Sequence, residues 1–121
     1  MDTDEIVAAY GAAWNEPDEA KRFALLDLSW ADNGIYTDPT ATAAGRAALV
    51  AHIGGFHKMM PGHTIDLTSS VDTHGGFIRF AWVTRNGSEV ALEGMDFGEL
   101  APDGRISRIV GFFGPFPPLN Q

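Results

Sequence analysis

The stretch Glu89-Val90-Ala91-Leu92-Glu93-Gly94-Met95-Asp96-Phe97-Gly98-Glu99-Leu100 decides how the chain folds. Side chains along an extended strand alternate between its two faces. One face therefore carries Val90, Leu92, Gly94, Asp96, Gly98 and Leu100, and the other Glu89, Ala91, Glu93, Met95, Phe97 and Glu99. The glutamates mark the second face as the wetter one, although Met95 and Phe97 imply partial cover. Asp96 then points with Val90, Leu92 and Leu100 toward a covered, concave side. A carboxyl there is costly unless paired or protonated, and loss of water raises its pKa. Gly94 and Gly98 flank it on the same face and leave room, as a ligand pocket requires. The competing reading is an arginine partner on a neighbouring strand, or a bulge that turns Asp96 to solvent.

Working outward, Asn86-Gly87 is a hairpin signal on one side and Pro102-Asp103-Gly104 a turn on the other. Strands are expected over residues 77–84 and 105–113, and over 64–72, where Ile65, Leu67 and Val71 share a face. His74-Gly75-Gly76 turns between them. The first half has helical spacing instead. Ile6, Tyr10 and Trp14, with Val7 and Ala13 beside them, form an apolar stripe over 3–14, with Thr3 as the N-cap and Asp4 and Glu5 at the positive end of the dipole. A second helix starts near Pro17 and turns Phe23, Leu26 and Trp30 inward, until Asn33-Gly34 closes it. A short extended piece, 35–38, stops at Pro39. A third helix over 46–60 aligns Leu49, Val50, Ile53, Phe56 and Met60, with Gly54-Gly55 weakening its middle. Three helices, a four-stranded antiparallel meander and one short early strand make an α+β chain, read as one domain over 1–121.

The chain of 121 residues carries 16 acids against 8 bases, a formal charge of −8, and no cysteine. Nine acids and two bases fall in residues 1–38, so the negative charge is concentrated there. This excludes nucleic acid and anionic membrane surfaces as partners, because phosphate binding needs a basic stripe. No apolar run approaches the ~18 residues of a spanning helix, and the acidic N-terminus is unlike a signal peptide, so a cytoplasmic location is expected. Lack of cysteine removes disulfides, thiol nucleophiles and thiolate metal sites. His52 and His57 are five residues apart, not at the i, i+4 spacing of a helical metal pair, and no metal or phosphate-loop motif is present. No metal or cofactor is therefore expected.

Asp38 is the second acid of interest. It follows Tyr36-Thr37 and is held extended by Pro39. Locally, Asp-Pro most often opens a turn in which the carboxylate accepts from nearby backbone N–H groups. Tyr10 and Trp14, one helical turn apart, fit a core; a buried Tyr10 hydroxyl would need a partner.

The run Trp30-Ala31-Asp32-Asn33-Gly34-Ile35-Tyr36-Thr37-Asp38-Pro39, the Gly45-Arg46 that opens a helix, and Asp103-Gly104-Arg105-Ile106 resemble the signature of the nuclear-transport-factor-2-like superfamily. Its SnoaL-like polyketide cyclases and ketosteroid isomerases are the nearest in pattern, and the likeness spans about residues 6–113. The resemblance implies a cone-shaped fold, with three N-terminal helices packed in a curved, mostly antiparallel sheet and an apolar pocket at one end. It also implies Tyr10 as an oxyanion donor, Asp38 as the general base, Asp96 as a second donor and Phe113 as a pocket aromatic. The supporting tyrosines of the isomerases are replaced here by Trp30 and Ile53, and a pocket aromatic by Arg79. An inward Arg79 would pair with Asp96 and lower its pKa. That arrangement resembles limonene-epoxide-hydrolase-like sites, although position 81 is Ala and not the acid of that pattern.

Three functions follow. The first is proton transfer on a small carbonyl compound, with Asp38, Asp96 and Tyr10 catalytic and Trp14, Trp30, Ile53, Phe56, Met60, Arg79 and Phe113 lining the pocket. The second is a non-catalytic module that holds a hydrophobe among residues such as Phe56, Met59, Met60, Phe112, Phe113 and Phe116. The third is epoxide hydrolysis through Arg79 and carboxylates. The expected partners are a small hydrophobic molecule and, through the half-covered sheet face, a second copy of the chain.

Overall fold

A computed structural model describes residues 1–119. In chain order the elements are α1 (Thr3–Asn15), α2 (Glu19–Ser29), β1 (Trp30–Asp38), β2 (Ala41–Ala44), α3 (Arg46–Met59), β3 (Thr64–Leu67), β4 (Asp72–His74), β5 (Phe77–Asn86), β6 (Glu89–Leu100) and β7 (Ile106–Phe113). The sheet has seven strands in the order β2-β1-β7-β6-β5-β3, with β4 also paired to β5. Among the described residues only the β1–β7 pairing is parallel. The sheet is curved and unclosed, so the fold is of the expected α+β class.

Asp2 rather than Thr3 caps α1. Its carboxylate accepts from Glu5 N at 2.8 Å, and Glu5 Oε1 accepts from Asp2 N at 3.0 Å, a reciprocal capping box. Asp18 caps α2 through Lys21 N. The buried side of α2 carries Arg22 and Leu26, whereas Phe23, expected inward, is exposed beneath the Arg46 guanidinium. Arg22 reaches inward because α1 ends facing it. Its guanidinium makes four hydrogen bonds, to the carbonyls of Glu16, Pro17 and Val50, and so ties the α1–α2 link to α3.

Asn33-Gly34, which reads as a helix stop, lies inside a longer β1. The Trp30 indole folds over Gly34, where a Cβ would stand 2.4 Å from Trp30 Nε1. β2 forms a hairpin on β1 around Asp38-Pro39. The expected strand over 64–72 divides into β3 and β4. Between them Ser69 Oγ accepts from Ala81 N, and a side chain thus takes the place of a ladder carbonyl. Val7, Leu26, Trp30, Leu49, Ile53, Ile78, Ile106 and Ile109 are fully enclosed between the helices and the concave face. Burying each such aliphatic side chain stabilises the fold by roughly 1.5–3 kcal/mol. Among the described residues no helix is long and apolar enough to cross a membrane.

Candidate active site

Three neighbouring strands bring two acids together. Asp96 of β6 is paired with Gly111 of β7, and the register of Thr37 against Val110 sets Asp38 of β1 beside the same glycine. A Cβ on Gly111 would stand 3.5 Å from Asp38 Cβ and 3.0 Å from Asp96 Oδ1. Glycine at this point lets the two carboxyl groups share one space. Phe80 of β5, opposite Asp96, extends the row.

The row faces a cavity of about 300 Å³, at the lower end of small-molecule pocket sizes. Tyr10 and Trp14 of α1, His52 and Phe56 of α3 and Met60 just after it cover the cavity. Tyr36, Asp38, Phe80, Trp82, Thr84, Leu92, Asp96 and Phe113 line it from the sheet. Trp14, Tyr36, His52 and Phe56 pack ring against ring in its lining, with centroids 5.1–5.9 Å apart.

Asp96 is buried, and its Oδ1 accepts from the Trp82 indole N–H at 3.0 Å. Burial pushes its pKa up to about 7; the Trp82 bond opposes this and the Asp38 charge reinforces it. The room expected beside Gly94 and Gly98 is filled. A Cβ on Gly94 would stand 2.2 Å from the Trp82 ring, and one on Gly98 2.9 Å from Ile109 Cδ1. Gly94 therefore admits the tryptophan that holds Asp96, and the open space lies above the carboxyl.

Asp38 has the opposite environment. Its Oδ1 accepts from Thr40 N at 2.7 Å, Thr40 Oγ1 at 2.6 Å and Ala41 N at 3.1 Å, which is the turn that Asp-Pro suggests. Its Oδ2 accepts from Tyr36 Oη at 2.6 Å and lies 3.3 Å from His52 Nε2. Burial would raise the Asp38 pKa, but the bonds from Thr40, Tyr36 and His52 outweigh it and hold the carboxyl below its ordinary value. Tyr10 stacks on Trp30 with centroids 5.6 Å apart, and its buried hydroxyl has no hydrogen-bond partner among the described residues. Burial, then the Asp96 charge, pushes this phenol up. The Tyr36 phenol is also raised, chiefly by burial.

Of the residues named from sequence, Tyr10, Trp14, Asp38, Phe56, Met60, Asp96 and Phe113 border this cavity. Trp30 and Ile53 do not; both are fully buried in the core behind it. Arg79 is on the opposite face of the sheet. β5 pairs Phe80 with Asp96 and Arg79 with Phe97, so alternation sends Arg79 outward to Asp72, 2.8 Å away. The arginine that would make an epoxide-hydrolase-like site is thus remote from both acids. Phe112 and Phe116 are exposed rather than lining the pocket. Tyr36, His52 and Trp82 were not singled out by sequence as site residues. The signal for Trp82 was a large aromatic facing a strand glycine. For His52 it was the spacing to Phe56 along α3.

The family described as the SnoaL-like domain matches residues 7–109. Among solved structures, a candidate isomerase of the SnoaL-like family from Agrobacterium tumefaciens is 34% identical, with a TM-score of 0.85 over 91% of this chain and 95% of that one. A cystatin-like-fold protein from Methylobium petroleophilum is 18% identical, with a TM-score of 0.75 over 98% of this chain and 80% of that one. A candidate polyketide cyclase from Sinorhizobium meliloti is 17% identical, with a TM-score of 0.68 over 88% and 92%. The last two share the fold alone. Among proteins of curated function, none matches.

Proposed function

Because this chain belongs to the SnoaL-like family, a branch of the nuclear-transport-factor-2-like superfamily, we propose that its cavity catalyses acid–base proton transfer on a small apolar carbonyl compound, as an isomerase or cyclase does. One observation carries this reading. Asp38 and Asp96 flank Gly111 and line one predominantly apolar cavity, with their proton affinities driven in opposite directions. Paired acids of this kind divide into a donor and a base. Asp96, holding its proton near neutrality, donates a hydrogen bond to the carbonyl oxygen and stabilises the enolate; one such donor is worth roughly 3 kcal/mol of barrier. Asp38 supplies the negative charge on the proton-accepting side. The kinship to a candidate isomerase at 34% identity supports the class of reaction.

The predominantly apolar lining also suits a module that only holds a hydrophobe. A panel of enones, β-keto esters and epoxides separates the readings. Turnover of the first two that is lost in Asp38→Asn supports proton transfer; tight binding without turnover by the wild type overturns it.

We further propose that two copies pair through the outer sheet face. Phe112 is exposed there beside Met95, and Phe77 stacks on Phe97. A monomeric mass by light scattering at micromolar concentration would contradict this.

A further inference from the structure

We propose that His52, held by Asp38, is the group that exchanges the proton with the substrate, and that Asp38 is its positioning residue. This rests on the proton-transfer reading above and says which side chain performs it. The argument begins with the lone pairs of Asp38. A carboxylate offers about four acceptor sites, and five donors converge on this one: Thr40 N, Thr40 Oγ1, Ala41 N, Tyr36 Oη and His52 Nε2. To take a proton from carbon, Asp38 would have to lose one of these bonds. Its side chain is also only 5% exposed, against 23% for that of His52, which lines the same cavity. The imidazole is the accessible basic group, and the carboxylate stands behind it.

The contact also fixes which nitrogen is free. With Nε2–H donating to Asp38 Oδ2, Nδ1 keeps its lone pair and has no hydrogen-bond partner among the described residues. Nδ1 takes the proton from the carbon next to the carbonyl. The C–H electron pair forms the enolate double bond, and the carbonyl oxygen takes the negative charge under the Asp96 hydrogen bond. The imidazolium then returns the proton to the substrate. Asp38 stabilises that imidazolium as it forms. Asp38 and Tyr36 of β1 touch the ring, and the other titratable groups that line the cavity with it are Tyr10 of α1 and Asp96 of β6. His57, on the same helix, faces away to the Trp14 carbonyl.

The test uses the full chain and 2-tetralone, whose α-proton exchange in D₂O is followed by proton NMR above the buffer rate. His52→Gln should lose at least ~100-fold in exchange, and added imidazole should partly restore His52→Ala. Nitrogen-15 spectra of the neutral His52 ring should place its proton on Nε2 in the wild type and lose that preference in Asp38→Ala, where no carboxylate accepts from Nε2–H. A His52→Gln protein that keeps its rate while Asp38→Asn is inactive overturns the proposal and leaves proton transfer to Asp38 itself. A His52 ring whose tautomer is the same in Asp38→Ala overturns the pairing. A wild type that binds 2-tetralone without exchange defeats the underlying reading and this proposal with it.

Discussion

Replacing Gly111 with alanine adds one methyl group between Asp38 and Asp96. The new Cβ would lie 3.0 Å from Asp96 Oδ1 and 3.5 Å from Asp38 Cβ, so the first contact must open by a few tenths of an ångström. Asp96 has little freedom to yield. Its Oδ1 is bonded to Trp82 Nε1 at 3.0 Å, and the Trp82 ring already occupies the space over Gly94. The strain therefore falls on that hydrogen bond or on the β6–β7 spacing. Overpacking of this kind costs ~1–3 kcal/mol, and a weakened buried hydrogen bond about 1 kcal/mol. The lower chain entropy of alanine offsets ~0.5–1 kcal/mol. A net loss of ~1–3 kcal/mol is expected by urea unfolding, with the m-value unchanged. Gly55 of α3 is the matched control, since a Cβ there meets nothing within 4 Å. Gly55→Ala should stabilise by ~1 kcal/mol. A Gly111→Ala protein as stable as the wild type, or two variants that move in the same direction, would refute the placement of the acids.

Further outcomes follow from the same contacts. Burial lifts Asp96 to about 7 from an ordinary value of ~3.9, so between these limits the folded state holds a proton that the unfolded chain releases. Relative to Asp96→Asn, the wild type should lose stability as pH rises through this window, by up to about 4 kcal/mol; parallel stability–pH curves would contradict it. Trp82→Phe removes a bond that favours the Asp96 anion, so the Asp96 midpoint should rise, and a fall would exclude the bond. Arg22→Met removes the guanidinium donors to the Glu16, Pro17 and Val50 carbonyls and should cost ~3 kcal/mol in denaturant; a loss below ~0.5 kcal/mol would show that water replaces the guanidinium.

The bounds of β6 and the inward direction of Asp96 are legible locally, because period-two alternation and two flanking turns constrain them together. Arg79 is not. β5 alternates apolar residues on both faces, and only the pairing of Phe80 with Asp96 decides which face is inner. Asn33-Gly34 reads as a stop because that pair favours turns, whereas within β1 Gly34 is small to admit the Trp30 ring. Ala41-Thr42-Ala43-Ala44 has no bulky side chains to alternate, so β2 leaves no pattern. The turn chemistry of Asp38 is visible in Asp-Pro, but the approach of His52 depends on how α3 packs against β1, which no spacing along the chain records.

Carboxyl carbon NMR of Asp38 and Asp96, followed through one pH titration of the full chain, tests the division of labour between the two acids most directly. Asp96 should titrate near 7 and Asp38 below its ordinary range, leaving one donor and one anion in the cavity at neutral pH. An Asp96 that titrates at ~3.9, as a solvent-exposed aspartate does, would leave no neutral donor and would contradict proton transfer at this site.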